Sequence, residues 1–340
     1  MKSVRDLNAL VVHRPSRTVE GRRTAEADED EFTLAATAVE RLAVFAPSDA
    51  PRVPIDLLTI GPVGPEWAWP HWLGRPVSLH PLPPGPRALA RAFETASTGG
   101  EGPALVVAAR RSSDPARDDD GALAFLFGPS GSGLARAEIP VVEESLGLLA
   151  AADRFAAEVT GRVSCVTQTD PARPMSGPGR APTAVDAERL DAVSEGAYVP
   201  RPRYLENLAS RWRFEGERCG ACGTTSFPAR GRCRRCGRYD GLTPLALPRE
   251  GVRVVATTVI GRGGQPTEFD AQVAAHGPYE VVLAELAPEI RVTLQVTEAS
   301  PGAVRIGDRV DTRLRRLYPM EGEWRYGRKA VPIAGSPPAA

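Results

Sequence analysis

An excess of charge of either sign is the first thing this sequence does not have. Lys+Arg and Asp+Glu stand at 42 each, for a formal net charge of zero. No global field therefore draws the chain to nucleic acid or to an anionic membrane surface. Long apolar runs are missing too. The longest aliphatic run, Ala104 to Ala109, is far short of the roughly 20 residues a membrane-spanning helix needs. The opening MKSVRDLNALVVHRP has no extended apolar core of the secretory type, so a cytoplasmic location is expected. Cysteine is scarce, with only 5 in 340 residues, and aromatics make up 6%. What remains is an ordinary soluble balance, 42% hydrophobic and 25% charged, with length enough for two or three domains.

The scarce cysteines are not scattered. Cys219, Cys222, Cys233 and Cys236 lie within RCGACGTTSFPARGRCRRCGR, two C-x-x-C pairs separated by ten residues. Each pair suits a tight knuckle whose thiolates converge, with Gly220, Gly223 and Gly237 supplying the turns. Two knuckles brought together by a hairpin suit a tetrahedral metal with four sulfur ligands, and zinc is the expected occupant. Two disulfides or a redox pair are the alternatives. A redox C-x-x-C has no need of a second pair at this distance, and nothing in the sequence points to an oxidising compartment. Four thiolates leave no open coordination position, so the metal is expected to be structural.

Before this stretch, strand-like and helix-like segments alternate. Residues 5–12 suit a strand, and Asp28-Glu-Asp-Glu31 then precedes FTLAATAVERLAVF. Acidic residues at a helix start complement its dipole, and Phe32, Ala35, Ala36, Val39, Leu42 and Ala43 share one face. Ile55 to Ile60 reads as a buried strand, and GPVGPEWAWPHWLGRP after it as irregular. A helix from Arg87 to Ala96, strands at Ala104–Ala109 and Ala122–Phe127, and a helix from Val141 to Val159 follow. This order predicts an α/β layered domain over 1–165. Gly128 to Gly133, GPSGSG, lacks both the Lys-Ser/Thr ending of a phosphate loop and dinucleotide spacing, and reads as a turn. Cys165, in GRVSCVTQ, has apolar neighbours and is expected to be buried and inert.

The pieces DEDEFTLAATAVERL, AFETASTGGEGPALVVAARR and DDGALAFLFGPSG, in that order, resemble the N-terminal half of the thiolase fold. The version is that of 3-hydroxy-3-methylglutaryl-CoA synthases and 3-ketoacyl-ACP synthase III-like enzymes. Such enzymes place a nucleophilic cysteine at the start of the helix before the ALVV strand. Here that region, SLHPLPPGPRALARAFETAS, has none, and a thiolate is what must attack the acyl thioester. His80 is the nearest polar candidate and reads as a surface residue. The second half of the fold, which would bring the His and Asn partners, has no counterpart, so no catalytic residue is assigned. A half fold of this kind is expected to leave an apolar face bare.

Residues 166–198, containing TDPARPMSGPGRAPTA, read as a linker. PRPRYLENLASRW reads as one amphipathic helix with Tyr204, Leu205, Leu208 and Trp212 on a side. Helix and metal ribbon occupy 199–245. From Gly251, GVRVVATTVI, YEVVLAELA, IRVTLQVT, RVDTRLRRL and EWRYGRKAV are strand-like. Five strands in this length fit a small closed barrel over 246–335, of which the OB-fold is the commonest, with 336–340 a tail. The fold class is therefore multidomain, α/β followed by β. RCGACGTTSFPARGRCRRCG, PYEVVLAEL, IGDRV at 306–310 and YGRKAVP at 326–332 resemble the zinc-ribbon/OB-fold family of acyl-CoA-associated proteins.

That resemblance implies an auxiliary subunit of an acyltransferase assembly, with thiolase-fold or ketosynthase-like partners and an acyl-CoA or acyl carrier protein substrate. Arg230, Arg232, Arg234 and Arg235 could meet the anionic donor, with Arg313, Arg315 and Arg316 as a second basic row. A solvated basic surface is the plainer reading of the same residues. A single-stranded nucleic-acid module is the competing function, weakened by the few aromatics in the barrel strands, Tyr279, Tyr318, Trp324 and Tyr326. A self-sufficient acyltransferase would have only Cys165 to use. The missing nucleophile generates a direct expectation. Incubated with labelled acyl-CoA, the chain should carry no covalent acyl adduct by intact-mass measurement, and a stable adduct on Cys165 would refute this.

Overall fold

The computed structural model describes residues 5–15, 17–19, 22–23, 25, 28–42, 54–85, 87–98, 102–110, 120–129, 133–135, 148–169, 173–174 and 200–333. The chain divides into two compact units, Met1–Gly179 and Arg180–Ala340. The expected linker lies almost wholly outside the described residues, as do 141–147 of the expected third helical segment and the middle of GPSGSG. Among the described residues, no helix is long and apolar enough to cross a membrane.

The first unit is a six-stranded mixed sheet with helices. Its strands are β1 (Arg5–Arg14), β2 (Ile55–Ile60), β3 (Val77–Leu82), β4 (Ala104–Arg110), β5 (Gly121–Pro129) and β6 (Ser164–Thr169). The spatial order is β3-β2-β4-β5-β1-β6. β2 pairs parallel with β3 and β4, and β6 parallel with β1, while β5 runs antiparallel between β4 and β1. The helices are α1 (Glu31–Leu42), α2 (Ala68–Leu73), α3 (Ala88–Ser97) and α4 (Leu148–Val159).

Alternation along the strands sorts the core into two faces. Leu10, Val12, Leu123, Phe125 and Phe127 pack with α3 and α4, where Phe93 lies 4.8 Å from Phe125 and 5.5 Å from Phe155 between ring centroids. The alternate residues, Ala9, Val11, Ala122 and Ala124, are small and fully buried. They face α1, itself rich in alanine, and small against small permits a close approach. Asp30 and Thr33 lock the start of α1 reciprocally: each side chain accepts from the other's backbone N–H, at 2.9 and 2.8 Å.

Two expectations for this unit need correction. The Trp-rich connection is not irregular throughout, because AWPHWL forms α2. Trp69 and Trp72 are buried, and Trp69 meets Phe32 of α1 edge-on at 5.4 Å. Burial of two indoles outweighs the local Pro/Gly signal. Gly64 is required beside it, since a Cβ there would sit 2.3 Å from Phe32 Cβ. Nor do the described residues of this unit leave an apolar face bare. Among the described residues, the exposed large hydrophobics are Tyr239, Val259 and Ile306, all in the second unit. β3, at the sheet edge, carries no clear strand pattern in the sequence, its run being interrupted by Pro81.

The second unit begins with α5 (Arg201–Glu206) and α6 (Leu208–Arg213), two short helices instead of the single one expected. Asn207 leaves the helical region at φ −103° and breaks the run, and Leu205 is only half-buried. β7 (Glu215–Cys219), β8 (Thr225–Ser226) and β9 (Leu242–Ala246) make the three-stranded ribbon, with β7 central. The barrel is β10 (Val252–Ile260), β11 (Tyr279–Ala287), β12 (Ile290–Gln295), β13 (Arg309–Met320) and β14 (Glu323–Pro332), with α7 (Asp270–His276) between β10 and β11.

The barrel sheet runs β12-β11-β10-β13-β14. A parallel bridge between Val296 and Ala330 joins its two ends, and Thr297 N–H donates to Ala330 O at 2.9 Å. Numbered within the barrel, the circuit is 1-2-3-5-4-1, the expected OB topology. The IGDRV turn closes against β10: Gly307 N–H donates to Val254 O and Val254 N–H to Asp308 O, both at 2.9 Å. Phe214 and Leu247, from the foot of the ribbon, lie in the same core as Val254, Val282, Leu294 and Val310. Ribbon and barrel thus share one apolar interior.

α5 and α6 dock on β14 through its backbone. Tyr204 Oη accepts from Tyr326 N–H at 2.8 Å and donates to Tyr326 O at 3.0 Å, while Trp212 Nε1 donates to the same carbonyl at 2.9 Å. All three residues are buried. A buried backbone pair without partners is costly. Tyr204→Phe should therefore destabilise the chain by about 1–3 kcal/mol in reversible denaturation, and a change under a few tenths would contradict this clamp.

Candidate metal centre and the surface around it

The sulfur cluster is built by two backbone knuckles. Cys219 closes β7, where its N–H donates to Thr224 O at 3.0 Å and its carbonyl accepts from Gly223 N–H at 2.8 Å. Cys233 repeats the arrangement: its N–H donates to Arg238 O at 2.8 Å and its carbonyl accepts from Gly237 N–H at 3.0 Å. Gly223 and Gly237 sit at φ 70° and 74°, the left-handed region where a side chain is strained. The expected role of Gly223 and Gly237 as turn residues is visible in these angles.

The four sulfurs all lie within 4.8 Å of one another, with Cys219–Cys236 at 3.6 Å and Cys222–Cys233 at 3.5 Å. A disulfide would place two sulfurs at about 2.05 Å, and all four are free thiols here. A tetrahedron of zinc–sulfur bonds of about 2.3 Å has edges of about 3.8 Å, so the donor set fits zinc. Electrostatics says the same. The Thr224 hydroxyl, then its backbone N–H, pulls the Cys222 thiol down to about 6. Against the pull of the Arg238 backbone N–H, the neighbouring thiols push Cys236 up to about 11. Four acids this close cannot all ionise unless a cation joins them. Structural zinc resolves the conflict.

A second carboxylate-based clamp holds the loop between the knuckles. Glu217 is buried, and its two oxygens accept from Arg230 N–H and Gly231 N–H at 3.1 Å each. The loop therefore does not rest on the metal alone. Beyond it, Arg218, Arg230, Arg232, Arg234, Arg235 and Arg238 are all exposed. Two of the four candidate anion contacts are already engaged. Arg232 donates to Gly237 O at 3.3 Å and lies 5.3 Å over the Tyr239 ring, and Arg234 pairs with Glu289 at 3.3 Å. Sequence reasoning overlooked Tyr239, 71% exposed beside Arg238. Nothing in the residue order distinguishes an exposed tyrosine from a core one.

Other candidates land elsewhere. Arg313, Arg315 and Arg316 do not form a basic surface row. Arg315 is buried against Glu298 at 2.6 Å, Arg313 is half-buried near Glu250 and Asp311, and Arg316 lies 4.5 Å over Trp324. β13 is covered on both sides, so its alternation does not offer a solvent face. Tyr279, Tyr318 and Tyr326 are likewise buried, which withholds them from base stacking. In the first unit, Arg87 occupies the turn into α3, at φ 65°, where the resemblance would put a thiolate. His80 is on the exposed edge strand, 3.5 Å from Asp56, which itself holds buried Arg5 at 2.6 Å. Cys165 on β6 is half-buried instead of fully buried and packs against the core. Burial raises its thiol above the ordinary range, with a contact from Thr160 opposing. A raised thiol is a poor nucleophile.

Elemental analysis of the purified chain should give one zinc per chain. Cys222→Ser should lose most of it and loosen the ribbon, whereas Cys165→Ser should keep it; full retention in the first variant would refute the four-thiolate site.

Three kinds of comparison bear on the chain. Residues 208–239 match the model for the ChsH2 rubredoxin-like zinc ribbon domain. A DUF35 domain-containing scaffold protein of Methanothermobacter thermautotrophicus is 32% identical over 121 residues, 36% of this chain and 85% of the relative. One from Methanocaldococcus jannaschii is 31% identical over 133 residues, 38% of this chain and 89% of the relative. Among solved structures, the Ltp2-ChsH2(DUF35) aldolase matches with TM-score 0.30 at 22% identity, covering 40% of this chain and 98% of that one. PksG, an HMG-CoA synthase from Bacillus subtilis, matches with TM-score 0.32 at 18% identity, covering 38% and 41%. With its ribbon, its closed barrel and this identity over most of both archaeal relatives, the chain belongs to the family of DUF35 domain-containing scaffold proteins.

Proposed function

We propose that this chain is a zinc-containing auxiliary subunit that scaffolds a thiolase-fold enzyme and supports acyl transfer, or C–C bond formation or cleavage, on an acyl thioester. The observation that carries the reading is membership in a family whose archaeal relatives are scaffold proteins. A metal held by four thiolates has no free position for substrate, which favours a structural role for the ribbon. Arg87 in place of a thiolate at the turn into α3 favours a partner that supplies the nucleophile. Arg230, Arg232, Arg234 and Arg235 would then face the anionic part of the donor, either the phosphates of acyl-CoA or an acidic carrier protein.

Coexpression with a thiolase-fold subunit from the native host tests this. The two should elute together in fixed ratio, and the enzyme's turnover should fall at least tenfold when this chain is left out. A partner fully active alone, with this chain eluting separately as a stable monomer, would overturn the reading.

A further inference from the structure

We propose that the tip of the zinc ribbon is a docking surface for an acidic protein of the acyl-carrier type, engaged transiently while the scaffold holds its enzyme. The inference rests on the function proposed above and chooses between its two possible donors.

Three properties of the tip decide the choice. The first is dispersal. The side chains of Arg230 and Arg235 are exposed and make no hydrogen bond or ion pair among the described residues, whereas that of Arg232 is committed to Gly237 and Tyr239, and that of Arg234 to Glu289. A small phosphorylated ligand is held by donors converging in a concave site. Here none of the four is recessed, and two are turned to their own neighbours. Exposed cations spread over a firm platform instead suit a broad, complementary acidic face, where they steer encounter.

The second property is rigidity. The cations stand on a loop fixed by the sulfur knuckles at Cys233 and Cys236 and by the two backbone N–H groups bound to Glu217. A loop already ordered loses little further freedom on binding. The third is composition. Tyr239, with 71% exposure, is the one large apolar side chain the tip presents. Stable scaffold interfaces are large and apolar, which this surface is not, so it fits a short-lived, salt-sensitive contact. A lone tyrosine can serve as an anchor in such a contact. It does not make the series of rings that single-stranded nucleic acid needs.

The experiment titrates the full-length, zinc-loaded chain with three probes: holo acyl carrier protein, coenzyme A and a short single-stranded oligonucleotide of mixed sequence. The carrier protein should bind best, and more weakly as salt rises to physiological strength. The charge-reversed double variant Arg230→Glu, Arg235→Glu should weaken carrier binding at least tenfold, and Tyr239→Ser about fivefold. Zinc content should be unchanged in both, and coenzyme A binding should shift less than about twofold. The same samples should still co-elute with the thiolase-fold subunit, which separates failure of the docking idea from failure of the scaffold reading. Carrier binding unaltered in both zinc-loaded variants would overturn the proposal. So would an equal loss toward coenzyme A, or tighter binding of the oligonucleotide.

Discussion

Four thiols confined within 4.8 Å pose a problem that the chain alone does not solve. Negative charges at that separation repel, and protonated thiols bind one another only weakly. A dication at the centre turns the repulsion into attraction toward a common point. The foot of the ribbon lends Phe214 and Leu247 to the barrel interior, so the metal's influence does not end at the knuckles. It reaches the same core that β10 to β14 enclose.

The first unit meets its constraint differently. One face of the sheet is thick with phenylalanine and leucine, and the other is paved with alanine. Large side chains fill the space below α3 and α4, while α1 comes close enough that methyl groups suffice. The two faces reach similar burial by different geometry. A buried guanidinium, Arg5, then ties β1 to Asp56 of β2 and to the carbonyls of Ala96, in α3, and Gly102, ahead of β4.

Much of this was legible in the residue order, for reasons that can be named. Cysteine spacing carries its geometry with it, since a C-x-x-C pair fixes a local turn and two pairs define a site. β-branched runs between glycine and proline located the barrel strands because each strand is a local pattern. The misreadings came from non-local partners. Arg315 reads as a surface residue because its mate, Glu298, is 17 residues away and on a different segment. The row Tyr204, Leu205, Leu208, Trp212 suggested one helix, yet what orders those rings is the backbone of Tyr326, over a hundred residues on. Trp69 of α2 packs against Phe32, again from another element.

The separation of 122 residues between Tyr204 and Tyr326 has a consequence for how the second unit comes into being. As the chain emerges from a ribosome, α5 and α6 are made first, but the strand they grip is made after the other barrel strands. The seam at Val296–Ala330 waits for that same strand. Until β14 arrives, neither the helices nor the open sheet has its counterpart, and contacts so distant in sequence close late. Nearly the whole unit must therefore be synthesised before it can complete itself, so a nascent chain would spend that interval with apolar strands exposed and would benefit from a chaperone's cover.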